Sequence, residues 1–197
     1  MRLRPVRMED APFIVWLRNS EHAKGNLGDS AVDVAAQARW LEAYYKRKDD
    51  YYFIVETLAG IPVGTYGIYN ISGIRAEQGR WAIRPAVRAA APSAVVSLDL
   101  AFFTFGLRRL RGATVATNRA VLSLNRKMGF REVRYQPAGQ MIGGKEVDMV
   151  HFEVTVEDWS AAREALIPIA RLAEGQVRSW EEAQRQSQCA PESWEQA

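Results

Sequence analysis

The sequence predicts an α+β fold on a mixed sheet, not a doubly wound parallel one, with a helical extension at the end. Three observations predict it. Tyr51 to Asn70 reads as an antiparallel hairpin turning at Leu58-Ala59-Gly60-Ile61-Pro62, and Arg75 to Ile83 adds a third strand. Trp81 to Phe130 reads as strand, loop, helix, strand, helix. Beyond Glu157 the apolar positions fall on a helical stripe instead of a strand alternation.

In chain order, Arg2 to Arg7 alternates apolar and basic residues, the mark of a strand. Glu9-Asp10-Ala11-Pro12 starts a helix that gathers Phe13, Trp16 and Leu17 on one face. Gly25 to Ser30 is a loop with two glycines, and Val34 to Lys46 is a second amphipathic helix through Ala38, Leu41 and Tyr45. After the three antiparallel strands, Arg84-Pro85 leads into a small-residue loop, Val87 to Ser93. A helix follows with Val95, Val96, Leu98, Leu100, Ala101, Phe102, Phe103 and Phe105, closing at Gly106. Ala113 to Thr117 is a strand, Asn118 opens a helix as its N-cap, and Gly129 ends it before a core aromatic, Phe130. Arg131 to Gln136 and Lys145 to Thr155 are strands around a loop holding Gly143-Gly144.

The composition is that of an ordinary soluble globular protein, with 197 residues, 48% hydrophobic and 25% charged. No apolar run is long enough to cross a bilayer, and Met1-Arg2-Leu3-Arg4-Pro5 has no hydrophobic export core. The single cysteine, Cys189, cannot form an internal disulfide, which points to a reducing, cytoplasmic setting. Two histidines, His22 and His151, and one cysteine argue against a zinc site, and His151 reads as structural on its strand. The net charge of +3 is uneven: residues 1–156 carry 22 bases against 15 acids, and residues 157–197 carry four against eight. A basic body attracts coenzyme A, a nucleotide-sugar or nucleic acid. The bases are scattered apart from Arg108-Arg109-Leu110-Arg111, so nucleic acid is the weaker partner.

A domain of residues 1–156 is expected, with an extension over 157–197. In the extension Trp159, Leu166, Ala173 and Trp180 recur every seven residues, with Ala162 and Ile169 between them. Pro168 should divide this stripe into two helices. The stretch from Gln184 to Ala197 is rich in Gln, Glu and Ser and reads as unstructured alone. The acidic stripe is expected to pack on a second copy of the chain, a homodimer, with folding back onto the basic body as the competing arrangement.

Strand, arginine-bearing loop, helix, strand, asparagine, helix and Gly-Phe, in this order, resemble the cofactor half of the GNAT acetyltransferases, and the whole element order of residues 1–156 is similar to theirs. The resemblance implies a centrally splayed sheet flanked by helices, acetyl-CoA as co-substrate, no metal, and transfer of an acetyl group to a small-molecule amine. It places the cofactor against Trp81, Ala82 and Ile83, with its pyrophosphate over Arg88, Ala89, Ala90, Ala91 and Ser93. Both glycines of the family's pyrophosphate signature are replaced here, by Ala91 and Ser93, and Pro92 removes one N–H donor, which Arg88 would offset by direct charge. Asn118 to Phe130 matches the family pattern at Asn118, Leu124, Lys127, Gly129 and Phe130, and Asn118 would bond the cofactor arm.

Asn125 stands where many members carry a tyrosine that protonates the departing thiolate. An amide donates a hydrogen bond but no proton. With a thiol pKa of about 8.5, releasing thiolate at pH 7 misses equilibrium by about 2 kcal/mol, much of which a hydrogen bond from Asn125 would cover. The acceptor amine must lose its proton before attack, costing about 4.6 kcal/mol for a lysine-like amine and less for an amine on a sugar ring. Glu77 is the candidate base, directly or through water. Trp16-Leu17-Arg18-Asn19-Ser20, Tyr66 to Asn70 and Glu77 to Trp81 resemble GNATs of surface-polysaccharide clusters, which acetylate nucleotide-linked amino sugars. Arg18, Asn19, Tyr69 and Glu77 are therefore the expected acceptor contacts. Acetylation of a protein N-terminus, and an inactive acyl-CoA-binding protein, stand as alternatives.

Overall fold

A computed structural model of the chain describes residues 1–186 other than 22, 24 and 29–32. His22, the end of the Gly25–Ser30 loop, Cys189 and most of the polar tail lie outside the described residues. The strands are β1 (Arg2–Pro5), β2 (Tyr51–Glu56), β3 (Pro62–Ser72), β4 (Arg75–Ile83), β5 (Arg109–Val115), β6 (Arg131–Ile142) and β7 (Lys145–Thr155). The helices are α1 (Ala11–Arg18), α2 (Val34–Tyr44), α3 (Ala90–Asp99), α4 (Arg119–Lys127) and α5 (Val156–Gln186).

One seven-stranded sheet carries the fold in the order β1-β2-β3-β4-β5-β7-β6. All neighbours are antiparallel except β4 and β5, so the sheet is mixed, as the α+β reading requires. That parallel pair holds for three residues only: Arg75 faces Arg109, Ala76 faces Leu110 and Glu77 faces Arg111. Beyond Glu77 the two strands part, and each continues, β4 paired with β3 and β5 paired with β7, toward the N-terminus of a helix, α3 or α4. Gly112 sits just past the fork, where an added Cβ would come within 2.6 Å of the Phe152 ring and 3.2 Å of the Gln78 carbonyl oxygen. Only glycine lets β5 pass there.

Two main cores flank the sheet, with a small third cluster of Val115, Ile142 and Met149. Val55, Tyr66, Ile68, Leu98, Phe102, Leu110, Phe130, Phe152 and Trp159 belong to the larger, while Phe13, Ile14, Leu17, Leu41, Tyr52 and Ile54 form the smaller beneath α1 and α2. Four elements differ from the sequence expectation. Helix α3 starts at Ala90, not Val95, because alanines carry its first turn, and its end opens into a π-helical turn over Leu100–Thr104. Strand β5 begins at Arg109, where alternating arginines mask a strand whose Leu110 is fully buried. β6 runs on to Ile142 across an irregular register after Gln136, and turns through Gly143 and Gly144, both at positive φ. β1 stops at Pro5.

Helix α5 is the largest correction. It is continuous across Pro168, because Pro168 and Glu164, whose carbonyl loses its partner, both face solvent. The helix lies on the chain's own α3, with Trp159, Leu166, Ala170 and Val177 buried. The Trp159 indole N–H donates to Asp99 Oδ1 at 3.0 Å, and Arg163 brackets the same carboxylate. A straight helix drifts about 20° per seven residues, so burial passes from the expected Ala173 to Ala170 and Val177. Ile169 ends up 46% exposed. The stripe that led to the expectation of a homodimer is thus largely covered within one chain. At the helix start, Gly129 (φ +84°) admits the close approach of the Asp158 carbonyl, 2.8 Å from where a Cβ would stand.

Candidate functional site

The fork between β4 and β5 opens into a cleft of about 690 Å³. One wall is the end of β4 and the loop after it, from Trp81 to Arg88, with Ala90 at the start of α3; the other is Asn118, Ala120, Val121 and Leu124 of α4. Ser20, Ala23, Asn26 and Leu27, between α1 and α2, close the remaining side. Two helix N-termini therefore border one cleft. Each turns the positive end of its dipole to the cleft, which suits an anion, although in α4 the Arg119 and Val121 N–H groups are already bonded to the Thr117 carbonyl and the Asn118 side chain, and Pro92 in α3 has no N–H.

The expected cofactor contacts divide into two groups. Trp81, Ala82, Ile83, Arg88, Ala90 and Asn118 all line the cleft. Arg88 is exposed beside Ala86, a non-glycine residue at φ +62° that turns the chain sharply out of β4. Asn118 is the N-cap of α4, its Oδ1 accepting from Val121 N–H at 3.2 Å. Ala89, Ala91 and Ser93 do not line the cleft. Ala89 and Ser93 are fully buried, and the Ser93 hydroxyl donates to the Ala90 carbonyl and accepts from the Trp81 indole N–H. Here Ser93 pins Trp81 to α3, so any phosphate contact in this loop falls to Ala90 and Arg88.

Asn125, next to Leu124 and one turn beyond Val121 on α4, is buried and does not itself line the cleft. It is 3% exposed, and neither its amide nitrogen nor its amide oxygen has a hydrogen-bond partner among the described residues. Burying a whole amide without partners is costly, so this group calls for a partner such as a ligand or a water.

On the acceptor side, Glu77 sits at the apex of the fork, exposed, opposite Tyr69 on β3 and Arg111 on β5, and outside the cleft lining. Burial pushes the Tyr69 phenol above its ordinary pKa, and the nearby Glu77 carboxylate adds to this. The Tyr69 hydroxyl fills the space over Gly79, where a Cβ would clash at 2.4 Å. The next residue, Arg80, is held at φ +51° in a register break between β3 and β4. Its guanidinium grips Asp50 through two bonds of 2.5 and 2.9 Å and lies over the rings of Tyr69, Trp40 and Tyr52. Arg18 and Asn19 do not line the cleft: Arg18 donates to the Gly28 carbonyl and Asn19 caps α1 on the Val15 carbonyl. They shape the α1–α2 segment. His151 meets Gln136 across the β6–β7 hairpin, a structural role.

Arg84 is the cleft residue that sequence reading missed. It is 7% exposed and lies over Trp16 at 5.0 Å and Trp180 at 5.3 Å. A lone arginine before proline gave no pattern, because the two rings that hold it are 68 residues before and 96 after it. No group of three or more His, Cys, Asp or Glu able to hold a metal is present among the described residues. Nor is any helix among them long and apolar enough to cross a membrane.

Comparison with known proteins agrees with this geometry. The acetyltransferase (GNAT) domain model matches residues 1–131. The spermidine N-acetyltransferase of Vibrio cholerae, solved with CoA and spermine, superposes with a TM-score of 0.73 at 18% identity, covering 81% of this chain and 97% of that one. Apo FdhC, described as a nucleotide-linked sugar GNAT, gives 0.67 at 25% identity over 86% and 92%. No curated protein matches the chain. With its splayed sheet, its anion-suited cleft and a family model spanning two thirds of its length, the chain belongs to the GNAT acetyltransferase family and is an acyl-CoA-dependent N-acyltransferase.

Proposed function

We propose that the enzyme moves an acetyl group from acetyl-CoA to the amine of a small acceptor, and that the acceptor is a nucleotide-linked amino sugar. The observation that carries the first part is the fork: two strands that part after three paired residues and deliver a cleft bordered by two helix N-termini. In this reading the pantetheine arm takes the place of the missing β4–β5 hydrogen bonds, and the pyrophosphate lies over residues 88–94. The acceptor nitrogen attacks the thioester carbonyl carbon; the C–N bond forms, the C–S bond breaks, and the sulfur leaves as thiolate. The amine proton passes to Glu77, directly or through water, and the Asn125 amide hydrogen-bonds the thiolate until solvent protonates it.

The sugar acceptor is supported by charge and by likeness. Residues 1–156 carry an excess of seven bases, which suits an acceptor with a diphosphate better than a polycation such as spermine. FdhC is the more similar in sequence of the two solved structures described above. The test is thiol release from acetyl-CoA against a panel of nucleotide-linked amino sugars, spermidine and N-terminal peptides, with product mass. The reading expects stoichiometric release and a one-acetyl mass gain with a nucleotide amino sugar. Turnover confined to spermidine or to peptides would overturn the acceptor assignment.

A further inference from the structure

The family model stops at residue 131, yet one side of the cleft is held from far beyond it. Arg84 lines the cleft and is nearly enclosed, while the two indoles it lies over, Trp16 and Trp180, are not lining residues. Trp16 belongs to α1 and Trp180 to the last turns of α5. The register of α5 is fixed independently: Trp159 and Arg163 both bond Asp99 at the end of α3, and Leu166 and Val177 enter the larger core. Trp180 is therefore placed by a long, well-anchored helix.

We infer that Trp180 is a positioning residue of the acyl-CoA cleft, through which the C-terminal helix sets Arg84 to face the anionic part of the ligand. Rings that contact the guanidinium face hold the charge in place and leave its edge N–H groups to hydrogen bonding. An arginine fixed before binding loses less side-chain freedom when it meets a phosphate. Arg84 also sits directly before Pro85 and the turn at Ala86, and its own backbone N–H is bonded to the Val63 carbonyl at 2.7 Å. Backbone and side chain of the same residue are thus both fixed at the entrance to the loop that carries Arg88.

This inference rests on the acyl-CoA reading of the cleft, and calorimetric titration of the full chain with CoA separates the two. Trp180→Ala should weaken CoA binding by about 5- to 20-fold. It should also raise KM for acetyl-CoA while leaving kcat at saturation within about twofold, and Trp180→Phe should recover most of the loss, because a ring face is restored. Arg84→Gln should weaken CoA comparably, and the double variant should be no worse than Arg84→Gln alone. Leu172→Ala, on the solvent-facing side of the same helix, should leave CoA affinity near that of the wild type. A Trp180→Ala protein with unchanged affinity would overturn the inference and leave the acyl-CoA reading intact. Losses that add in the double variant, or an equal loss in Leu172→Ala, would also overturn it. A wild-type chain that does not bind CoA would remove both.

Discussion

Replacing Asn125 with leucine should make the protein more stable and a poorer enzyme. Asn125 is 3% exposed with both amide atoms unsatisfied among the described residues. Each such atom costs about 1–3 kcal/mol. Leucine has the same branching and no polar atoms, but its extra bulk in a packed site costs about 1–3 kcal/mol. The balance is a gain of about 1–2 kcal/mol, which raises Tm by roughly 2–8 °C in a chain of this size. The helix itself is indifferent to the change, because the Asn125 carbonyl accepts from Met128 N–H and Phe130 N–H through the backbone. The rate should move the other way. A hydrogen bond to a charged sulfur contributes about 1.5–3 kcal/mol, so kcat should fall by about 10- to 150-fold. Thermal unfolding by circular dichroism and thiol release at saturating acetyl-CoA measure the two halves on one sample. Thiol release at the wild-type rate, or a Tm well below that of the wild type, would refute the reasoning.

Arg88→Ala should weaken CoA binding by about 1–3 kcal/mol in calorimetry, since a charge-assisted bond from an exposed side chain to phosphate is removed. Glu77→Gln should lower kcat by about 10²-fold near neutral pH and by less at high pH, where the acceptor amine needs no base; a flat profile would return Glu77 to a strand carboxylate. Glu153 bridges Arg109 and Arg111 on β5 near the fork. Burial opposes its ionisation, but the two arginines outweigh this and hold its pKa below the ordinary carboxylate value. Its contribution to stability is therefore complete above the unfolded pKa of about 4.3 and disappears as pH falls further, so denaturant midpoints of Glu153→Gln should lie below the wild type at pH 7 and converge with it in acid.

Much of the fold was legible because its signals are local. The turn at Gly60, the N-cap at Asn118 and the Gly129-Phe130 stop each place an element end by short-range chemistry, and the structure has all three. What could not be read was decided by distant partners. The arginines of β5 look like a surface cluster until Glu153 on β7 pairs two of them. Pro168 reads as a break until one sees that it and Glu164 face solvent. The same divide runs through the site. Trp81, Ile83 and Asn118 follow from the order of the elements, whereas Ser93 turns inward to Trp81, Arg18 and Asn19 bond nearby backbone, and Arg84 gains its place only from Trp16 and Trp180.

A crystal structure of the chain with acetyl-CoA tests the central claim most directly. The ligand should enter the fork with its arm between residues 81–83 and 113–118, its pyrophosphate over residues 88–94, and its sulfur within hydrogen-bond reach of the Asn125 amide. An acetyl-CoA molecule bound outside the fork, or one that leaves the Asn125 amide unpartnered, would contradict it.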